Sequence, residues 1–133
     1  MDKGDFWYII IRLICLLVLV IIFWVVCADA KTNQHSALNK RDGVFYFNGQ
    51  KETYYNLPMD RILKKAEERL WVNAYWVRED GVKMFGKYVI VAAPFDVHPW
   101  GSLVETSLGT GIVLDTGLFA VDNKNQIDIA TSW

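Results

Sequence analysis

The chain has 133 residues, of which 53% are hydrophobic and 14% aromatic, and its formal net charge is −1. This length allows one domain with a real hydrophobic core, and the composition excludes disorder for most of the chain. After residue 30 there are 12 basic and 12 acidic residues, once Lys3, Arg12, Asp2, Asp5 and Asp29 are taken from totals of 14 and 15. That balance gives no electrostatic basis for binding nucleic acid, which we do not expect as a partner.

Residues 1–30 are predicted to form a membrane anchor or signal segment. The stretch from Phe6 to Ala28 is apolar except for Arg12, and about 20 apolar residues suffice to cross a bilayer core. Arg12 can extend toward the headgroups, which favours an inside amino terminus and a single-pass cell-membrane protein with its C-terminal domain outside the cytoplasm. The alternative is secretion by cleavage after Ala30, because Ala28-Asp29-Ala30 has the small-x-small form of a signal-peptidase site.

The rest of the chain is predicted to consist of a polar linker over residues 31–43 and one domain over residues 44–133. The linker has no hydrophobic period and would hold the domain away from the membrane. The two cysteines, Cys15 and Cys27, both lie in the apolar segment. The domain therefore has no thiol for a disulfide, a metal site or a nucleophile, and it must fold by core packing.

A hairpin and a helix are predicted to open the domain. Asn48-Gly49 suits the positive φ angles of a tight turn, and it lies between two β-rich runs, Val44 to Phe47 and Glu52 to Tyr55. From Met59 to Leu70, apolar residues recur at helical spacing. The charged residues between them are expected to point to solvent; these are Lys64, Lys65, Glu67 and Glu68.

A central strand and a polar loop come next. Tyr88 to Ala93 is continuously apolar, which predicts a strand covered on both faces, and Pro94 ends it. Asp96 and His98 follow, in a loop closed by Pro99-Trp100-Gly101. They are more typical of turn residues than of a catalytic pair, because no serine or cysteine motif accompanies them. The two histidines are far apart in sequence, so no metal site is expected.

Asp115 is the residue best placed for chemistry. Ile112 to Leu114 is a short apolar run that predicts a strand buried on both faces, and Asp115 stands at its exit, before Thr116 and Gly117. Partial burial disfavours the charged form of a carboxyl group, as a proton donor near neutral pH requires. The alternative is a simple turn, because Asp and Gly are common turn formers.

Asp128 supplies a second carboxylate on a strand. It lies between Ile127 and Ile129 in a period-2 pattern. If the isoleucines face the core, Asp128 faces the opposite side, and we expect it to share a groove with Asp115. Two carboxylates at strand positions of this kind are a catalytic-type arrangement.

The block from Tyr88 to Trp133 resembles the three-aspartate domain of bacterial cell-wall proteins, a double-psi β-barrel also found in one class of membrane-bound lytic transglycosylases. The resemblance rests on Pro99-Trp100-Gly101, on Gly111 through Gly117 and on Ile127-Asp128. It implies a mainly β fold, a six- or seven-stranded double-psi β-barrel-like domain with one packed helix, behind a single N-terminal transmembrane helix. The site it implies has catalytic residues Asp115, Asp128 and Asp96, and substrate-binding residues Thr116, Gly117 and Trp100.

The resemblance further implies remodelling of the cell wall, with peptidoglycan glycan strands as partners and no cofactor. In a lytic transglycosylase, Asp115 would protonate the glycosidic oxygen and then, as a base, help a sugar hydroxyl close on the anomeric carbon, with Asp128 orienting it. A non-catalytic glycan-binding or structural barrel is the alternative, because Leu118 replaces a family glycine and Asp96 departs from the family spacing. A third hypothesis is an aspartic-protease-like dimer, since an apolar run before Asp-Thr-Gly also resembles the active loop of retroviral-type proteases.

Overall fold

The computed structural model describes residues 2–30 and 37–133, with the backbone alone for residues 3 and 22–30. The chain divides into two units, Met1–Ser36 and Ala37–Trp133. In the first unit, helix α1 runs over Lys3–Ala30. Within the described residues it is the one helix long and apolar enough to cross a membrane, with a mean hydropathy of 2.3 over Gly4–Ile21. Because a signal sequence has the same length and composition, the membrane topology stays a prediction.

The described side chains of α1 are largely exposed. The Arg12 guanidinium carbon lies 5.4 Å from the centroid of the Tyr8 ring, one turn nearer the amino terminus. This is the direction in which a snorkelling arginine would extend toward the headgroups. Cys15 is exposed on the same helix with a free thiol, whereas Cys27 lies outside the described side chains.

The second unit contains eight strands and two helices. In chain order they are β1 Phe45–Phe47, β2 Gln50–Tyr55, α2 Asp60–Leu70, β3 Tyr75–Val77, β4 Lys83–Phe85, β5 Tyr88–Ala92, β6 Leu103–Thr106, β7 Gly109–Asp115, α3 Phe119–Asp122 and β8 Gln126–Ala130. The prediction of a mainly β domain with a packed helix is confirmed. The strands number eight rather than six or seven, and the short helix α3 was not expected.

All eight strands belong to one mixed sheet around β5. The main path runs β1-β2-β8-β5-β4-β3, and β7 pairs with both β5 and β6. The pairs β2–β8 and β5–β7 are parallel, while β5 meets β8 and β4 in antiparallel orientation. Among the residues that the structure describes, no pairing joins β1 to β3. The sheet is therefore not closed, and the double-psi barrel stays a proposal.

β5 is buried on both faces, as its continuous apolar sequence predicts. Val89 and Val91 belong to one core cluster, and Ile90 belongs to another. Since successive side chains of a strand point to opposite faces, these clusters lie on the two sides of the sheet. The second cluster includes Ile62 and Ala66 of α2, so the helix covers the face on which Ile90 lies.

The predicted hairpin and helix are both confirmed. Asn48 and Gly49 have φ angles of 50° and 80°, as a tight turn between β1 and β2 requires. α2 buries Ile62 and Ala66. The helix is capped by Trp71, which has a left-handed backbone and whose N–H donates to the Glu67 carbonyl at 2.9 Å. This hydrogen bond closes the final turn of the helix.

The compact domain begins before Val44. Leu38 is 3% exposed and belongs to the core cluster that contains Val89, and its N–H donates to the Ser107 hydroxyl at 2.9 Å. The end of the predicted linker is therefore part of the domain, because a single leucine in a polar stretch fills a core position. Residues 31–36 of that linker lie outside the described residues.

Candidate functional site

Asp115 ends strand β7, as its sequence position predicts. Ile112, Val113 and Leu114 are buried, and the Asp115 side chain is half-buried. The pairing with β5 shifts register here, because Val91 pairs with Val113 whereas Ala92 pairs with Asp115. A bulge of this kind turns the following side chain and is common beside functional sites.

Asp128 lies across β5 from Asp115. Ala92 pairs with Asp115 on one side and with Asp128 on the other. Paired residues point their side chains to the same face, and strands are about 4.8 Å apart, so the two aspartate Cα atoms are about 10 Å apart on one face. The structure thus places Asp115 and Asp128 on one face of the sheet. Asp128 is not among the residues that line the cleft of Asp115, so the shared groove and the chemical roles of both residues stay predictions.

Tyr55, at the end of β2, contacts Asp115. Its hydroxyl donates a hydrogen bond to Asp115 Oδ2 at 3.4 Å. Burial raises the pKa of Tyr55 far above its usual value. The negative charge of Asp115, its hydrogen bond with Tyr55 and the negative charge of Asp128 raise that pKa further. The phenol therefore keeps its proton and acts as a hydrogen-bond donor throughout the physiological pH range.

The Asp128 carboxylate is held by neighbours on two strands. Asp128 Oδ1 accepts from Gln126 Nε2 at 2.9 Å and also from the Thr53 hydroxyl. Gln126 Nε2 is in turn 3.1 Å from Thr53 Oγ1, and Gln126 Oε1 accepts from Asn123 Nδ2 at 3.2 Å. Such fixed hydrogen bonds suit a group that orients others better than one that exchanges protons.

A cleft of about 300 Å³ opens beside Asp115. This volume is at the lower end of the range for small-ligand sites. Its walls come from α2, from the loop after β5 and from the end of β7; they are Arg61, Ile62, Lys65, Phe95, Leu114, Asp115 and Thr116. Asp115 is the one carboxylate in that set, and Thr116 is exposed beside it. The cleft therefore offers a bound ligand one acidic group and several cationic or apolar ones.

Lys65 is half-buried, which corrects the expectation that it points to solvent. Its Nζ lies 5.7 Å from the centroid of Phe95 and 5.5 Å from that of Trp100. Arg69 Cζ lies 4.9 Å from the same Trp100 ring. The long stems of these residues lie along aromatic surface and keep their charges above the rings, an arrangement that helical periodicity alone does not reveal.

Trp100 supports the cleft from the side. Its Nε1 donates to the Leu114 carbonyl at 3.0 Å, and the N–H of the next residue, Gly101, donates to the Val113 carbonyl at 2.6 Å. The Pro99-Trp100-Gly101 turn is thus tied to β7 directly before Asp115. A stacking role for Trp100 in substrate binding stays a prediction, because Lys65 and Arg69 already contact its ring.

Asp96 and Gly117 lie at the margins of the site. Asp96 is exposed and forms an ion pair of 2.9 Å with Lys124, whose hydrogen bond lowers the pKa of that carboxyl group. A Cβ at Gly117 would come within 2.9 Å of the Phe119 ring, so this glycine is needed for the close turn into α3. The site geometry thus joins Asp115 with Asp128 and leaves Asp96 with Lys124.

Several residues of the site were not predicted from sequence: Thr53, Tyr55, Gln126, Arg61 and Arg69. Gln126 could have been found, because it precedes Asp128 by two residues and so shares its face of the strand. Tyr55 could not, since its approach depends on the parallel pairing of β2 with β8. In the part of the chain that is described, no group of three or more His, Cys, Asp or Glu residues is placed to hold a metal ion.

No family model, curated protein or solved structure matches this chain.

Proposed function

We propose that this protein cleaves peptidoglycan glycan strands by a lytic-transglycosylase-type reaction in which Asp115 is the single acid and base. The observation that carries the proposal is the setting of Asp115, half-buried at the exit of β7 on the wall of an open cleft. A protonated phenol, that of Tyr55, donates to it, and a second carboxylate, Asp128, lies across Ala92. A general acid and base must come within hydrogen-bond reach of its substrate, and the position of Asp115 on the cleft wall allows this.

The reaction requires two proton transfers by one carboxyl group. Protonated Asp115 gives its proton to the glycosidic oxygen, and the bond from that oxygen to the anomeric carbon breaks. The Asp115 carboxylate then takes the proton of a hydroxyl on the same sugar, whose oxygen bonds to the anomeric carbon and forms an anhydro ring. No water enters, so no second carboxylate has to activate one, unlike in paired-carboxylate hydrolases.

Tyr55 and Asp128 are positioning residues in this scheme. The Tyr55 hydroxyl would stabilise the Asp115 carboxylate that is left after the first proton transfer, and the bond can tighten from 3.4 Å when substrate is bound. Asp128, fixed by Gln126 and Thr53, adds negative charge that keeps the Tyr55 phenol protonated. Its own carboxylate is not required to transfer a proton.

The proposed location is the outer side of the cell membrane. Helix α1 has the length and apolar character of a membrane span or a signal sequence. A retained helix would give a single-pass protein with the catalytic domain facing the wall, and cleavage after Ala30 would release the same domain. Either route brings the cleft to peptidoglycan, which lies outside the cytoplasm.

Glycan binding without turnover is the second candidate function. It is favoured by the composition of the cleft, in which every lining residue except Asp115 is apolar, hydroxyl-bearing or cationic. Such a surface can hold a sugar chain even if Asp115 never transfers a proton.

One experiment separates the candidates. The full chain, in an uncharged detergent, is incubated with purified peptidoglycan, and the soluble products are analysed by mass spectrometry for 1,6-anhydro sugars. Anhydro products that disappear with Asp115→Asn are expected. Sedimentation of the protein with peptidoglycan without anhydro products identifies a binder, and release of peptides from a protein substrate would favour the protease-like reading. Absence of anhydro products overturns the catalytic proposal, whichever of the other outcomes is seen.

A further inference from the structure

A stripe of three cations runs along α2 beside the candidate active site. Arg61, Lys65 and Arg69 are spaced four residues apart, which places them on one side of the helix, over about 12 Å from first to last. Arg61 and Lys65 line the cleft that contains Asp115. Arg69 extends the stripe over the Trp100 ring. We call these three residues the cationic stripe.

Within the described residues, no ion pair neutralises the cationic stripe. The ion pairs recorded for the described residues join Arg41 to Asp42, Arg78 to Asp80 and Lys124 to Asp96, and none includes a member of the stripe. Within the cleft, two cations face one carboxylate, that of Asp115. An uncharged sugar chain would leave this excess positive charge without a partner.

Two members of the stripe are also held in place before any ligand binds. Lys65 lies between the Phe95 and Trp100 rings at 5.7 and 5.5 Å, and Arg69 lies 4.9 Å from Trp100. Contacts of this kind reduce the conformational entropy that a long side chain loses on binding. The charges are therefore positioned for recognition, and their solvent-facing N–H groups remain free to donate.

We infer that the cationic stripe binds carboxylate groups of the substrate, so that the cleft is specific for an acidic glycan rather than a neutral one. The inference rests on the proposed function, since it assigns a substrate class to the same cleft. Carboxylates that recur along a glycan strand fit cations that are spread along a helix. Arginine side chains recognise phosphate as well as carboxylate, so the test includes a phosphate ligand.

The test compares two ligands that differ in charge alone. Glycan strands stripped of peptides keep their lactyl carboxylates, and the same strands after conversion of those carboxylates to amides are neutral. Affinities are measured by calorimetry with the full chain in uncharged detergent, in an Asp115→Asn background so that the strands stay intact. A glycerol-phosphate polymer serves as a third ligand and separates carboxylate recognition from general attraction of anions.

Lys65→Gln and Arg61→Gln are the test variants, and Lys64→Gln is the matched control because Lys64 is exposed on the same helix outside the cleft. We expect each test variant to weaken binding of the acidic strands about three- to tenfold, with the control unchanged. Neither variant should alter binding of the amidated strands. Circular dichroism and thermal unfolding show whether each variant keeps its fold.

The outcomes for the two proposals differ. Equal affinity for acidic and amidated strands, or equal effects of the test and control variants, overturns the acidic-glycan inference even if anhydro products are formed. Stripe-dependent binding of acidic strands without any anhydro product supports the inference and overturns the catalytic proposal. Binding of the phosphate polymer as tight as that of the acidic strands overturns the assignment to carboxylates. Absence of all binding overturns the acidic-glycan inference, and the assay for anhydro products decides the catalytic proposal.

Discussion

Glu52 and Asp115 are carboxylates of the same sheet in opposite surroundings. Glu52 is 0% exposed, and both of its oxygens accept from Ser107, Oε1 from the N–H at 2.9 Å and Oε2 from the hydroxyl. Asp115 is half-buried at a cleft and accepts a hydrogen bond of 3.4 Å from Tyr55. Each Glu52 oxygen thus accepts a hydrogen bond within the protein. Asp115, by contrast, has hydrogen-bonding capacity left for a ligand.

The difference separates a structural carboxylate from the one that we propose to be catalytic. Glu52 and Ser107 connect β2 to the turn between β6 and β7, and Leu38 joins them through its N–H bond to the Ser107 hydroxyl. A buried carboxylate that accepts several hydrogen bonds holds elements together and is costly to disturb. Changes at Glu52 or Ser107 should therefore alter stability, and changes at Asp115 should alter activity alone.

The largest effect is expected for Asp115→Asn. The amide keeps the shape of the side chain but cannot give or take the proton, so the rate of anhydro-sugar formation should fall by about two to four orders of magnitude. Product formation is followed by mass spectrometry, and the melting curve should match that of the unchanged protein. A variant that keeps full activity would show that Asp115 is not the acid and base.

Ser107→Ala tests the structural side of the comparison. It leaves Glu52 Oε2 and the Leu38 N–H without their partner, so the free energy of unfolding should fall by about 1–3 kcal/mol. Ser102→Ala is the matched control, because among the described residues the Ser102 hydroxyl is buried without a hydrogen-bond partner. Chemical denaturation of both variants measures the difference, and a control that loses as much stability as Ser107→Ala would refute the assigned role.

The pH dependence of stability should change with Glu52→Gln. Burial raises the pKa of Glu52 above its ordinary value of 4.5, more than the Ser107 hydrogen bonds lower it. A group with a raised folded pKa stabilises the fold below its unfolded pKa, and this contribution is lost as the pH rises through the folded pKa. The contribution of Glu52 to the free energy of unfolding should therefore fall as the pH rises from about 4.5, by at most about 1.4 kcal/mol per pH unit.

Glu52→Gln cannot titrate, and its amide can still accept from the Ser107 N–H. The unfolding free energy of the unchanged protein minus that of Glu52→Gln should therefore fall as the pH rises over the same range. Urea denaturation at a series of pH values from 4 upward checks this for both proteins. Parallel pH curves would show that Glu52 does not titrate with a raised pKa.

A smaller effect is expected for Tyr55→Phe. Loss of the hydroxyl removes the donor to Asp115 and should lower the turnover rate about tenfold, because one hydrogen bond to a charged group is lost. Tyr54→Phe is the control, since the Tyr54 hydroxyl donates to the Lys40 carbonyl over the same distance, 3.4 Å, away from the cleft. Equal rates for the two variants would exclude a positioning role for Tyr55.

The sequence predicts the local features of this comparison well. The Asn48-Gly49 turn, the packed face of α2 and the buried strand that ends at Asp115 each depend on residues close together in the chain, and the structure confirms them. The side of the strand on which Asp128 lies, opposite Ile127 and Ile129, also follows from alternation along a strand. The face of Asp115 does not, because the bulge beside Ala92 shifts the register there. Local geometry and periodicity are sufficient for features of this kind.

The long-range features could not be predicted in the same way. Tyr55 reaches Asp115, 60 residues away, because β2 pairs in parallel with β8 and β8 pairs with β5. Glu52 is buried for the same reason, through contact with the turn at Ser107. Pairing between distant strands is decided by packing of the whole sheet, which no local pattern contains.

The smallest effect is expected for Asp96→Asn, although Asp96 was predicted to be one of three catalytic aspartates. Asp96 is exposed and pairs with Lys124, and a solvated ion pair of this type contributes little because water screens both charges. We therefore expect the turnover rate to stay within about twofold of the unchanged protein, and the melting temperature to be nearly unaltered. The same peptidoglycan assay compares Asp96→Asn with Asp115→Asn and Asp128→Asn, of which Asp128→Asn should give an intermediate loss. If Asp96→Asn lowers the turnover rate as much as Asp115→Asn, then Asp96 must leave Lys124 and enter the site when glycan binds. The proposal that the site contains only Asp115 and Asp128 would then be wrong.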